Sequence, residues 1–291
     1  MPAYRSDRRF QLANDLFLVL VSLTMFAPLL HLAAVSLSAP EYVGAKLVTF
    51  WPRGFSLEVY RTIFGTSSLW RAMGVSVYIT VVGTLLALLF TSTIAYSLSR
   101  PQMPLRGWIL KGIVLTFVFS VPLIPSYLLV RTLQMDNTLW ALMVPGALSA
   151  FNVFIMKTFF QGLSAELFDA AKMDGCSELG IYARIAIPLS SPVIATIGLF
   201  HAVGQWNSYF SALIYIKTKT LLPIQVLLRN LVVEDGLGSM SQIQTVDLSR
   251  TSTPEMMKAG ILLFATLPIL IVYPFLQKYF VKGAMLGSLK E

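Results

Sequence analysis

The residues whose types and spacing could do chemistry stand in AELFDAAKMDGCSELGIYARIAIPLSSP, residues 165 to 192. Glu166, Asp169, Lys172, Asp174, Glu178 and Arg184 crowd there, in a chain with only 12% charged residues. Carboxylates and basic groups displayed on short helices offer charge-assisted hydrogen bonds to a charged groove on a soluble partner. Ser164 can cap a first helix that carries Glu166 in its first turn, with Leu167, Ala170, Ala171 and Asp174 at helical spacing until Gly175 ends it. A second helical stretch can run from Ser177 to Arg184, acid early and base late, as the helix dipole prefers. Two short helices joined at a glycine make a rigid docking knob. Cys176, the single cysteine, forms no intrachain disulfide and reads as a small filler in a reducing compartment.

No other group of residues points to a reaction. His31 and His201 are the two histidines, too few to build a metal site with Cys176. The chain has no G-x-x-x-x-G-K-[ST] phosphate loop. The expectation is therefore no catalytic residue, no metal and no cofactor held by this chain. A polar strip remains: in a helix starting near Ser190, His201 lies about 16 Å along the axis, near the middle of a membrane. Gly204, Gln205 and Ser208 follow it at i+3, i+4 and i+7, with Trp206 and Asn207 beside them. Two readings stand side by side. The strip lines a solute path, with Trp206 stacking on the solute and Gln205 and Asn207 hydrogen-bonding to it, or its residues hold helices together. Asn152 takes the same pair of readings.

The elements that must position these groups form a membrane bundle. Of 291 residues 56% are hydrophobic and the mean hydropathy is +0.71, whereas soluble domains carry about 25% charged residues. Six windows free of Asp, Glu, Lys and Arg approach the roughly 20 residues a membrane-spanning helix needs. They are Leu16 to Leu37, Ala72 to Ser99, Gly112 to Val130, Leu139 to Met156, Ser190 to Ile216, and Ala259 to Gln277. The expected fold is an all-α polytopic membrane protein: one transmembrane domain over 1–291, six helices, a cytoplasmic insert at 164–188 and a cytoplasmic tail at 278–291. Prolines 28, 122, 125, 145, 192, 268 and 274 mark expected kinks.

The net charge of +8 comes from bases scattered at the ends of apolar runs, which argues for membrane topology and against nucleic acid. Arg100, Arg106, Lys111, Lys172, Arg184, Lys278, Lys282 and Lys290 fall on one side, which places both termini in the cytoplasm. The first apolar run reads as an uncleaved anchor, because it is too long for a signal-peptide core and Pro40 follows the candidate cut. In the outer loops, GFSLEVYRTIF (54–64) reads as a short helix at the membrane surface capped by Ser56. VEDGLGSMSQ (233–242) reads as an exposed loop, either connector or docking surface.

Asp169-Ala170-Ala171, three residues, Gly175, nine residues, then Ile185-Ala186-Ile187-Pro188 resembles the signature of permease subunits of ATP-binding-cassette importers. That signature is Glu-Ala-Ala, three residues, Gly, nine residues, Ile-x-Leu-Pro; here Asp169 replaces Glu and Ile187 replaces Leu. The likeness covers nearly the whole chain through FWPRGFSLEVYRTIF, GQWNSYFSALIYI and KYFVKGAMLGSLKE, and it is to the carbohydrate-importing group related to the maltose permease. ATLPILIVYPFLQKYFVKGAMLGSLK resembles a subgroup serving complex or acidic oligosaccharides, including the alginate importer. The resemblance implies that the insert is a coupling helix seated in a cytoplasmic ATPase, with Glu166, Asp169, Ala170, Ala171, Asp174, Gly175 and Pro188 at the coupling site. It implies that Gly283, Gly287 and Ser288 reach the ATPase interface. It also implies a bacterial cytoplasmic membrane, a second homologous permease, two ATPase subunits that bind ATP and Mg, and an external sugar-binding protein. In the maltose relative the companion permease holds most of the substrate. An ion-coupled secondary transporter is the rival class, disfavoured because no Asp or Glu lies in any apolar window. A permease for a solute other than sugar and a membrane scaffold without transport are two further rivals, and the polar strip weighs against the scaffold.

Overall fold

The structure, a computed structural model, describes residues 8–119, 121–233 and 253–288, with side chains over 10–119, 121–232 and 253–274. Among the described residues every regular element is helical. In chain order they are α1 (Arg8–Ser36), α2 (Pro40–Gly44), α3 (Glu58–Gly65), α4 (Ser67–Ser99), α5 (Arg106–Val118), α6 (Leu123–Thr132), α7 (Trp140–Met143), α8 (Ala150–Gln161), α9 (Ala165–Met173), α10 (Glu178–Leu189), α11 (Ser191–Trp206), α12 (Phe210–Tyr215), α13 (Ile224–Val233) and α14 (Pro254–Ser288). A single turn of 3-10 helix at Lys219–Leu221 precedes α13.

Three helices are unbroken and apolar enough to cross a bilayer: Phe10–Ser36, Ser67–Ser99 and Pro254–Pro274, of 27, 33 and 21 residues. The count rises to five when each bent pair of helices is taken as one span. The remaining windows do not form continuous helices, for local reasons. Pro122, with extended ψ of 156°, stands immediately before α6. In the fourth window α7 ends at Met143, and the chain turns through Pro145 and Gly146 before α8 begins at Ala150. The fifth begins at a 79° bend between α10 and α11 and stops at Trp206 before resuming as α12. Proline withholds an N–H from the helical ladder and suits a first turn, so Pro122, Pro145 and Pro192 fall at boundaries. Pro28, Pro268 and Pro274 are instead carried inside α1 and α14.

The chain packs as two compact units, one of residues up to Trp70 with Leu228–Leu267, the other of Arg71–Leu227 with Pro268 onward. In the first, α3 lies on the start of α14. Val59 and Ile63 are fully buried, and a Cβ at Gly260 would stand 2.5 Å from Val59 Cγ1 and 2.9 Å from Ile63 Cδ1. Only glycine lets the two helices approach so closely. Trp70 and Phe264 meet edge to face at 5.2 Å beside them. The apolar spacing in GFSLEVYRTIF therefore packs α3 against protein on its Val59–Ile63 side, while Leu57 and Phe64 stay exposed. Ser56 Oγ accepts from Glu58 N at 3.4 Å, although the helix itself is entered at Leu57.

In the second unit α4 is the helix others pack on. Gly198 of α11 faces Leu88, whose Cδ1 would be 3.2 Å from an added Cβ, and Gly83 of α4 faces Met143 and Gln205 at 3.5 and 3.7 Å. Small residues on both helices permit this approach. A buried cluster that includes Ala95, Tyr96, Leu98, Met156, Phe160, Phe168, Ile181 and Ile197 joins α4 and α8 to α9, α10 and α11. A second cluster gathers Ile79, Met143, Tyr215 and Val226, and Ser76 Oγ accepts from the Ile224 backbone N–H at 2.9 Å beside it.

Candidate functional site

Residues 165–189 form two helical pieces around Gly175. Ser164 occupies the cap position of α9 without a side-chain hydrogen bond. At the other end Gly175 N donates to Lys172 O at 3.0 Å and Cys176 N donates to Ala171 O at 2.9 Å. This pair of bonds is the Schellman arrangement, and it requires the left-handed backbone that Gly175 supplies at φ +76°. A Cβ there would have no atom within 4 Å, so the glycine is needed for the sign of φ and not for space. Ser177 Oγ then accepts from Gly180 N at 3.2 Å and caps α10.

The second piece is longer than the expected stretch to Arg184. It continues to Leu189, widening into a π turn over Tyr182–Ala186 in which Ile187 N donates to Tyr182 O. Pro188 follows at once. Its ring crowds the carbonyl four residues earlier, and a widened turn at that point relieves the clash.

Glu166, Asp169, Ala170, Asp174, Gly175 and Pro188 all lie on the exposed side of this element. Ala171 does not: it is 8% exposed and packs inward with Phe168. The exposed side also carries Met173 at 89% and Leu179 at 75% exposure. Acids bordering protruding apolar side chains are the mixture found on protein-docking surfaces.

Beneath the knob lies a polar network that sequence reasoning missed. Arg100, just past the end of α4, donates from Nη2 to Tyr96 OH at 2.9 Å. Its guanidinium lies 3.6 Å from the Phe168 ring centre and 4.5 Å from that of Tyr96. Tyr96 OH donates to Glu178 Oε2 at 3.1 Å, and Glu178 Oε1 pairs with Lys172 Nζ at 2.8 Å. Tyr182 OH and Ser92 Oγ are 2.7 Å apart. The hydrogen bond from Lys172 holds the Glu178 carboxyl below its usual range against partial desolvation, helped by Tyr96 and by the charges of Lys172 and Arg100. Tyr96 and Arg100 stand four positions apart, one in the last turn of α4 and one just past its end, and that spacing is the only sequence signal for the pair. Nothing local connects them to a glutamate 82 positions away from Tyr96.

The polar strip divides. His201 places Nδ1 3.3 Å from Thr84 Oγ1 and Nε2 3.4 Å from Gly146 O. Gln205 is buried and donates from Nε2 to Leu142 O at 2.9 Å. Both use their polar atoms to tie α11 to neighbouring segments. Asn152 is buried at 8% exposure. Trp206 is buried too, and its Nε1 has no hydrogen-bond partner among the described residues. Because α11 ends at Trp206, Ser208 leaves the His201 face and lies with Asn207 in the turn that follows; Asn207 is exposed and donates from Nδ2 to Val203 O at 2.9 Å. The backbone of α14 continues through Gly283, Gly287 and Ser288, whose side chains lie outside the described residues, as do residues 234–242 of the outer loop. Among the described residues no three His, Cys, Asp or Glu side chains gather as metal ligands.

No protein-family model matches the chain. It is 42% identical over 287 residues to Protein LplC of Bacillus subtilis, covering 98% of this chain and 96% of that one. It is 42% identical over 287 residues to the polygalacturonan/rhamnogalacturonan transport system permease protein YtcP of the same organism, covering 98% and 99%. Its backbone is similar, with a TM-score of 0.87 and 29% identity, to a chain in the crystal structure of a bacterial ABC transporter involved in the import of the acidic polysaccharide alginate, covering 96% of this chain and 100% of that one.

Proposed function

The chain belongs to the permease subunits of ATP-binding-cassette importers of carbohydrate, and from that premise we propose how it is threaded, whom it meets and what it carries. As a permease it is a translocation subunit and not an enzyme. Six passes run through α1, α4, the α5–α6 pair, the α7–α8 pair, the α11–α12 pair and α14, with both termini and the 164–188 insert in the cytoplasm. Basic residues near Arg100, Arg106 and Lys111 support that orientation. The chain works beside a second homologous permease and two ATPase subunits, which bind the ATP and Mg that this chain does not, and it receives solute from an external binding protein.

The observation that carries this reading is the α9–α10 element. It is rigidly capped at Gly175 and Ser177, presents Glu166, Asp169 and Asp174 outward, and is packed against α4 and α8 by Phe168 and Ile181. A charged knob so anchored suits transmission of force from a soluble motor to membrane helices. Closure of the ATPase pair on ATP draws the knob and rocks the helices between inward-facing and outward-facing arrangements. Glu166, Asp169, Ala170, Asp174, Gly175 and Pro188 meet the ATPase, Ala171 supports them from beneath, and Gly283, Gly287 and Ser288 in the 278–291 tail reach the ATPase interface.

The cargo is an oligosaccharide bearing uronate carboxylates. One relative named for polygalacturonan and rhamnogalacturonan and one solved neighbour named for alginate support this, since these polymers contain uronic acids. Trp206, Asn207 and Ser208 border the path, while His201, Gln205 and Asn152 fasten the helices around it. The test is uptake into proteoliposomes holding the co-purified importer and its binding protein. Labelled oligogalacturonate or oligoalginate is expected to enter with ATP hydrolysis, and maltooligosaccharide is not. Uptake of neutral sugars alone overturns the acidic cargo, and uptake driven by a proton gradient without ATP overturns the mechanism.

A further inference from the structure

The knob has two covalent routes to the membrane helices: Gly162 to Ser164, after α8, and Ser190, at the 79° bend into α11. Neither reaches α4, the longest uninterrupted span of the second unit. What joins α4 to the knob is side-chain contact, of two kinds. Ala95, Tyr96 and Leu98 share an apolar cluster with Phe168, Ala171 and Ile181. Apolar contact is non-directional and allows one helix to slide over another. Charge-assisted hydrogen bonds fix register. The geometry points to Tyr96 and Arg100 as positioning residues that latch α4 to the knob through Glu178 and Phe168, so that movement of the knob is delivered to α4 without slip.

This inference rests on the coupling role proposed above. The latch touches all three elements. Arg100 holds Tyr96 by a hydrogen bond and Phe168 of α9 by its guanidinium face, and Tyr96 holds Glu178 of α10. Glu178 also pairs with Lys172, which adds a half-exposed contact between α9 and α10. Ser92 and Tyr182 add a second hydrogen bond between α4 and α10 one turn further into α4.

The test uses the complete importer in proteoliposomes and reads sugar imported per ATP hydrolysed, with co-purification of the partners measured alongside. Tyr96→Phe removes the hydroxyl that reaches Glu178, and Arg100→Gln removes the cation on Phe168. Arg106→Gln is the control, since Arg106 Nε donates to a backbone acceptor at the same end of α4, Leu98 O. Tyr96→Phe and Arg100→Gln are expected to keep the assembly and its ATP hydrolysis while import per ATP falls by about fivefold or more, a typical coupling strength between sites. Arg106→Gln is expected to leave that ratio unchanged. Import and hydrolysis falling together in proportion to lost assembly, or an equal drop in the ratio with Arg106→Gln, would show a purely structural role and overturn the latch. Absence of ATP-driven import by the unaltered importer would instead overturn the coupling reading beneath it.

Discussion

Replacing Gly175 separates backbone strain from steric fit, because the site offers open space around a left-handed backbone. An L-residue in this region costs about 1–2 kcal/mol, offset by about 0.4–1 kcal/mol from stiffening the unfolded chain. The net is roughly 1 kcal/mol for Gly175→Ala, about a fivefold rise in opening of the cap. Asn tolerates left-handed backbone better than Ala despite its size, so Gly175→Asn is expected to cost less than Gly175→Ala. Gly175→Val, β-branched, costs most. Hydrogen exchange across residues 165–189 in the detergent-solubilised chain reads this directly, since the Cys176 and Gly175 amides make the two capping bonds. The expected order of exchange is Gly slowest, then Asn, Ala and Val. An order that follows side-chain volume, with Gly175→Asn faster than Gly175→Ala, would refute the argument that φ alone demands the glycine.

Asp169→Lys, on the exposed side of α9, is expected to leave the chain inserted and to lower recovery of the ATPase about tenfold, since reversing a charge at a complementary surface costs more than deleting it; co-purification with undiminished ATPase would count against the docking surface. Gln205→Leu leaves Leu142 O unpaired in a buried setting, at about 1–3 kcal/mol, so thermal unfolding in detergent is expected at lower temperature with the apparent KM for sugar unchanged. Gly260→Ala drives a methyl into Val59 and Ile63 and is expected to destabilise by about 1–3 kcal/mol, relieved in large part by Val59→Ala in a double-mutant thermal unfolding cycle. The Glu178 carboxyl is held below its usual value, so its contribution is full above the ordinary glutamate pKa of about 4.3 and fades as pH falls through the depressed one. The Lys172–Glu178 pair is half exposed and contributes about 1 kcal/mol at most; exchange in residues 178–189, corrected for intrinsic rate, is expected to hold steady from neutral pH to pH 5 and rise only in stronger acid.

By itself the sequence determined the features that neighbouring residues carry. Long runs without charge demanded helices in a membrane, because a lipid interior satisfies no backbone group. Gly175 announced the end of α9, and Ser177 the start of α10, since a positive φ and a cap are decided within a few positions. Tertiary structure alone decided which long-range partners these elements meet. Counting apolar residues could not say that Pro122, Pro145 and Pro192 would fall at helix boundaries while Pro28, Pro268 and Pro274 stayed inside helices. Nor could helical spacing keep Ser208 on the His201 face once α11 stopped at Trp206. Ala171 turned inward, His201 and Gln205 spent their polar atoms on protein, and Gly198 and Gly260 became close-approach points. The bond from Tyr96 to Glu178 spans 82 positions. Such pairings depend on how whole helices pack, and no local pattern of residues encodes that geometry.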